Sequence, residues 1–182
     1  MSTQLSAPGA PVLSLSPGSA LGVGVYRYIV TLTTAYGETT GGPEVAVSVT
    51  SGLQTVNVTG IPLGPTGTTG RRLYRSPVAG ASGSERLVAT LPDNATTAFT
   101  DTLADAQLSS PLPAANTARL APPGAPNVAI GGGGTLNGTY RYAVTFVSVG
   151  GETTGGSEAV IAAANNSVQL SDLPPIQALA SA

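Results

Sequence analysis

Tyr26-Arg27-Tyr28-Ile29-Val30-Thr31-Leu32-Thr33-Thr34, followed closely by Gly37-Glu38-Thr39-Thr40-Gly41-Gly42, is the stretch that decides the fold. Its first part sets Tyr26, Tyr28, Val30 and Leu32 on one face and Arg27, Thr31 and Thr33 on the other, the period of two that defines a β-strand. Ile29 breaks the alternation, so the second face is expected to be less than fully wet. On this phase Val30→Asp should unfold the module, whereas Thr31→Asp should be tolerated. The same text recurs later in the chain as Tyr140-Arg141-Tyr142, Val144-Thr145 and Gly151-Glu152-Thr153-Thr154-Gly155-Gly156. Upstream, Pro8-Gly9-Ala10-Pro11 matches Pro123-Gly124-Ala125-Pro126. Downstream, Val56, Val58, Ile61 and Pro62 match Val168, Leu170, Leu173 and Pro174. Such self-similarity marks a duplicated module. The second copy ends soon after Pro174 while the first continues through further strand-like runs, so one complete module and a partial second copy are expected.

Outward from that strand, residues 12–15, 45–49, 54–59, 71–76, 86–91 and 97–100 read as further short strands separated by Gly, Pro and Asx turns. About seven short strands in about 100 residues suit an antiparallel, immunoglobulin-like sandwich. Helix signals are confined to a turn or two at residues 103–108 and 176–180. A hydrophobic content of 41% with regular alternation argues against disorder.

Composition narrows the chemistry. The chain has no Cys, His, Lys or Trp, which removes thiol nucleophiles, imidazole bases, Schiff-base lysines and the usual zinc and haem ligands. Charged residues make up 9%, against about 25% in ordinary domains. With a net charge of -2, nothing attracts nucleic acid. The opening residues lack the basic and apolar blocks of a signal peptide, and no run has the length of a membrane span.

Tyr-Arg-Tyr with Gly-Glu-Thr-Thr, then Arg71-Arg72-Leu73-Tyr74-Arg75-Ser76, a glycine loop, Arg86-Leu87-Val88-Ala89 and a strand ending Asp101-Thr102, form an ordered set. This set resembles the fibronectin type III-like modules of bacteriophage tail, tail-fibre and other virion proteins. The resemblance implies an all-β fold, an antiparallel fibronectin type III-like β-sandwich serving as spacer, decoration or attachment module in a virus particle. It implies no catalytic, cofactor-binding or metal-binding residues. The partners expected are other virion proteins and copies of the chain itself in a homo-oligomer, with a host-surface glycan or protein as the alternative and a carboxylate-based glycoside hydrolase as a remote one. The expected organisation is an N-terminal arm at residues 1–6, a sandwich module at 7–109, a Pro/Ala-rich linker at 110–126 and the partial module at 127–182. A unit phased from Leu53 to Ala164 is the other possibility. It would require a long Pro-rich internal connection where connections are normally about 4–6 residues.

Individual motifs offer sharper readings with bland competitors. Gly131 to Gly134 mimics a phosphate loop, yet leads into a strand and is expected to be a flexible hairpin or edge loop. Asn57, Asn94 and Asn137 sit in glycosylation-type triplets but read as turn and strand residues. Asp93, Asp101 and Asp105 lack the spacing of a calcium loop. Glu38 and Glu152 occupy equivalent turns of separate modules, unlike a paired-carboxylate cleft, and structural turn hydrogen bonding, or a pairing with Arg27 or Arg141, is expected. The basic cluster Arg71, Arg72 and Arg75 points to local pairing or a protein interface. Tyr142, Val144 and Phe146 should form the apolar face that the partial module leaves open to a partner.

Overall fold

Alternating residues become strands where the sequence placed them. The computed structural model describes residues 4–119, 122–148 and 151–173, and the chain divides into two units. The first, Gln4–Arg119, contains β1 (Val12–Ser16), β2 (Gly24–Thr34), β3 (Gly37–Glu38), β4 (Val45–Val49), β5 (Thr55–Thr59), β6 (Thr68–Arg75), β7 (Arg86–Leu91) and β8 (Phe99–Asp101). A 3-10 turn at Asp105–Gln107 falls inside the weak helical signal at 103–108, and the signal at 176–180 lies outside the described residues.

All strand pairs in this unit are antiparallel and sort into two sheets. One is β1-β5-β8; in the other, β2 is flanked by β3 and β4 on one side and by β6 then β7 on the other. Tyr26, Tyr28 and Val30 of β2, Leu73 of β6 and Val56 and Val58 of β5 are at most 1% exposed and fill the space between the sheets. Each such apolar side chain contributes roughly 1.5–3 kcal/mol. The result is an antiparallel β-sandwich.

The outer face of β2 is also covered, contrary to the expectation for Thr31. Residues 110–119, expected to begin a linker, instead strap this unit. Leu112 N–H donates to the Glu85 carbonyl, Thr117 and Ala118 N–H donate to the Glu38 carbonyl, and Leu5 N–H donates to the Ala118 carbonyl. Asn116 Nδ2 donates to the Leu5 carbonyl, which ties Leu5 of the expected arm to the strap as well. Leu5 and Ala118 are buried, and so are Ile29 and Thr31 beneath. A Pro-rich strap satisfies backbone groups of β3 that would otherwise form an open sheet edge.

The second unit contains β9 (Asn127–Tyr142), β10 (Val147–Ser148), β11 (Gly151–Glu152) and β12 (Ala159–Ser171). β9 and β12 form one long antiparallel ribbon, and β10 and β11 a short hairpin. The strand pairs of the first unit recur in register. Tyr26↔Val47 and Tyr28↔Val45 become Tyr140↔Ile161 and Tyr142↔Ala159. Leu13↔Val58 and Leu15↔Val56 become Val128↔Leu170 and Ile130↔Val168. Gly131 to Gly134, expected as a loop, run inside β9. A Cβ on Gly134 would lie 2.5 Å from the Asn166 backbone, so glycine there permits the close approach of β12 at its bulges.

Candidate functional site

Because β6 alternates, Arg71 and Arg75 share the inward face with Leu73 while Arg72 and Tyr74 share the outer one. All three arginines are consumed within the unit. Arg71 is 0% exposed and donates to Asp93 Oδ1 at 2.9 Å and to the Thr96 carbonyl at 2.7 Å. Arg75, also 0% exposed, donates to Asp101 Oδ2 at 3.0 Å and Asp105 Oδ1 at 2.6 Å. Its guanidinium lies 5.0 Å from the centre of the Tyr26 ring. Tyr28 Oη and Leu103 N–H donate to Asp101 as well, so this buried carboxylate is fully engaged. The expectation of an interface at Arg71 and Arg75 is corrected: local pairing leaves them no face for a partner.

On the outer face Arg72 Nη1 donates to Glu38 Oε2 at 2.5 Å, while Thr31 Oγ1 and Tyr74 Oη donate to Glu38 Oε1 at 2.5 and 2.8 Å. Arg27 pairs instead with Glu44, and Arg141 with Glu158, in both cases 17 residues on. The turn hydrogen bonding expected of Glu38 is present in the Thr31 bond, whereas its arginine is Arg72 of β6 and not the expected Arg27. Burial, then the bond and charge of Glu38, push the Tyr74 hydroxyl up to about 12. Tyr28 is raised further, by burial first and Asp101 second. Asp93 is held at about 2, first by the backbone N–H groups of Thr96 and Ala95 that it caps and less by Arg71.

Glu85 is the buried acid that sequence reasoning missed. It is 1% exposed, and neither carboxyl oxygen has a hydrogen-bond donor in place. Burial first, then the adjoining Glu44 carboxyl, raise its pKa. Burial pushes Glu44 up too, but the neighbouring Ser82, the Arg27 guanidinium bonded at 2.7 Å and Glu85 together outweigh it and hold Glu44 low. No alternation signal marks Glu85, which precedes β7; it is enclosed by the strap through the Leu112 bond.

Asp101 and Asp105 converge on Arg75 and Asp93 on Arg71, and Glu38 and Glu152 sit in different units. Among the described residues no group of three or more His, Cys, Asp or Glu could hold a metal ion, and no helix is long and apolar enough to cross a membrane. A cavity of about 210 Å³ beside Leu21, Tyr26, Val78 and Asp105 is smaller than the roughly 300–1,000 Å³ of small-molecule sites. The glycosylation-type asparagines make structural bonds: Asn57 with Thr100, Asn94 with Gly64, and Asn137 with Asn165.

The second unit is where apolar and polar groups remain open. Tyr142, Val144 and Phe146 are half-buried, whereas their counterparts Tyr28, Val30 and Leu32 are at most 2% exposed. Leu170 is 41% exposed where Val58 is 0%, and Ile130 is 45% exposed. The turn chemistry nevertheless repeats: Thr145 Oγ1 donates to Glu152 as Thr31 does to Glu38, and Phe146 N–H donates to Thr153 Oγ1 as Leu32 does to Thr39. No family profile, curated protein or solved structure matches the chain.

Proposed function

We propose that the chain is a structural component of a bacteriophage virion, in the tail, tail fibre or head decoration, acting as a spacer and assembly module through protein–protein contacts. The observation that carries this reading is the repeated module whose second copy keeps strand registers and turn bonds yet leaves its apolar residues uncovered. Side chains suited to ligand chemistry in the first unit, Arg71, Arg75 and Asp101, are spent on holding strands together, as expected of a spacer. The fibronectin type III-like character rests on the ordered motifs around Tyr26, Arg71 and Asp101.

Recognition of a host-surface glycan is the weaker reading. The tyrosines and arginines that would serve it in the first unit, Tyr26, Tyr28, Tyr74, Arg71 and Arg75, are buried. The test is electron microscopy of purified particles with a gold-labelled antibody against this chain, alongside mass spectrometry of the same particles. Label at a tail, fibre or capsid position is expected. Particles that lack the chain refute the proposal.

A further inference from the structure

In the first unit residues 29–32 of β2 are laddered to β6 in the pairs Ile29↔Tyr74, Val30↔Leu73, Thr31↔Arg72 and Leu32↔Arg71. On its other side the same segment is held by the turn: Thr39 N–H donates to the Leu32 carbonyl and Gly42 N–H to the Val30 carbonyl. The second unit keeps that turn side intact, with Thr153 N–H donating to the Phe146 carbonyl and Gly156 N–H to the Val144 carbonyl. Strand backbone groups alternate sides, so those of Ala143 and Thr145 point to the opposite edge. There, among the described residues, residues 143–146 have no strand beside them.

Chemistry at that edge is specific. In the first unit the Thr31–Glu38 pair is completed by Arg72 and Tyr74 of β6. In the second, Thr145 and Glu152 form the same bond seven residues apart, yet the salt bridges among the described residues bring no arginine to Glu152. Beside it stand the half-buried Tyr142, Val144 and Phe146, whose counterparts are sealed by Leu73 and its neighbours.

We infer that the open edge at residues 142–146 is a strand-accepting site. Its occupant is an extended polypeptide segment with the β6 pattern, in which an arginine faces Glu152 and an apolar residue, next in line, faces Val144. The segment adds antiparallel, its backbone pairing with Ala143 and Thr145 by β-augmentation, while the Arg–Glu152 pair fixes register. A one-residue slip would turn the arginine toward the apolar face. The inference deepens the assembly reading and rests on protein–protein contact being the chain's task; the particle location can fail while strand binding stands.

The experiment uses the whole chain, isotope-labelled for NMR, titrated with a synthetic peptide of residues 66–76, which carries Arg71-Arg72-Leu73-Tyr74-Arg75. Binding should slow amide exchange at Ala143 and Thr145 and move the resonances of residues 142–146 and 152. Glu152→Arg in the chain should weaken binding roughly tenfold or more, the scale of one charge-assisted hydrogen bond. A peptide carrying Arg72→Glu should restore binding to that variant and fail on the parent. Glu152 is exposed, so the variant retains its fold, checked by its unchanged first-unit spectrum. No shift at residues 142–146, shifts confined to the first unit, or equal binding of both peptides to the parent overturns the inference. So does a concentration-dependent dimer that protects Ala143 and Thr145 without peptide, since the occupant would then be a second copy.

Discussion

Replacing Arg75 by Met tests whether the buried ion network holds the sandwich together. The guanidinium is wholly buried, bridges Asp101 and Asp105, and donates to the Leu103 carbonyl. Methionine keeps much of the volume but leaves Asp101, itself 0% exposed, as a charge with two hydrogen-bond donors and no cation. Breaking a buried pair from one side costs about 3–5 kcal/mol. Asp105 adds little because it is about one-third exposed. A domain of this size has roughly 5–15 kcal/mol of net stability, so the variant should fold but melt roughly 10–20 °C lower. Adding Asp101→Asn neutralises the stranded carboxylate, and the double variant should recover most of the loss, leaving a coupling energy above ~2 kcal/mol. Thermal and urea melts followed by near-ultraviolet circular dichroism read the packing of Tyr26 and Tyr28 directly. A single variant melting within about 3 °C of the parent, or a double variant no better than the single, would refute the reasoning.

Val30→Asp and Thr31→Asp should both destabilise the first unit strongly, by about 3 kcal/mol or more in urea melts, because the second sets a carboxylate against Glu38 beneath the strap. Tolerance of Thr31→Asp in those melts would mean that the strap does not cover it. Glu85→Gln should stabilise at pH 7 by about 1–3 kcal/mol, since the amide stays neutral and can donate to the Glu44 oxygen that lacks a donor. The folded pKa of Glu85 is raised above its ordinary 4.5, so its contribution is full below that value and is lost as pH rises through the folded pKa. The advantage of Glu85→Gln should therefore shrink to nothing near pH 4, and a pH-independent difference in melting temperature would contradict the assignment. Gly42→Ala should cost about 1–3 kcal/mol, because its Cβ would lie 2.4 Å from the Pro8 carbonyl oxygen, while Gly9→Ala, with ordinary contact at 3.8 Å, should change urea melts by less than ~0.5 kcal/mol.

Legibility followed range. The alternation after Tyr26 and the strand expected at 71–76, observed at 68–75, are local patterns legible in the sequence because period and turn chemistry are written in adjacent residues. Thr31 was misjudged because its burial comes from residues 110–119, far away in the chain and too rich in Pro to announce strand or helix. Alternation sets Arg71 and Arg75 on the face of Leu73, and that is the available clue: an arginine on an apolar face of a chain with few charges must be paired. Their partners could not be named, since Asp93, Asp101 and Asp105 lie in turns whose spacing says nothing about which strand they meet. Gly131 to Gly134 read as a loop because glycine is a poor strand former. A ribbon pairing set by flanking residues overrides that weak preference.

The two units differ at one place that bears on assembly. In the first, the chain leaves one sheet for the other at residues 17–23 and again at 50–54, where Gly18 N–H meets the Gly52 carbonyl and Leu21 N–H the Gln54 carbonyl. In the second, the equivalent strands run on without a break, although the pairs on either side of it are the same. Strand pairing therefore does not by itself encode the two-layer arrangement. What the first unit adds is β6 and β7 beside β2, and β8 beside β5. Those strands widen each half of the ribbon into a sheet with an apolar face, and two such faces are buried by folding the ribbon upon itself. Leu21, at that fold, is 2% exposed, whereas Leu136 at the equivalent point of β9 is only half-buried. A two-stranded ribbon is marginal in water. The energetic pressure on the second unit is thus toward gaining a strand, and the edge at residues 142–146 is where the first unit gains its own.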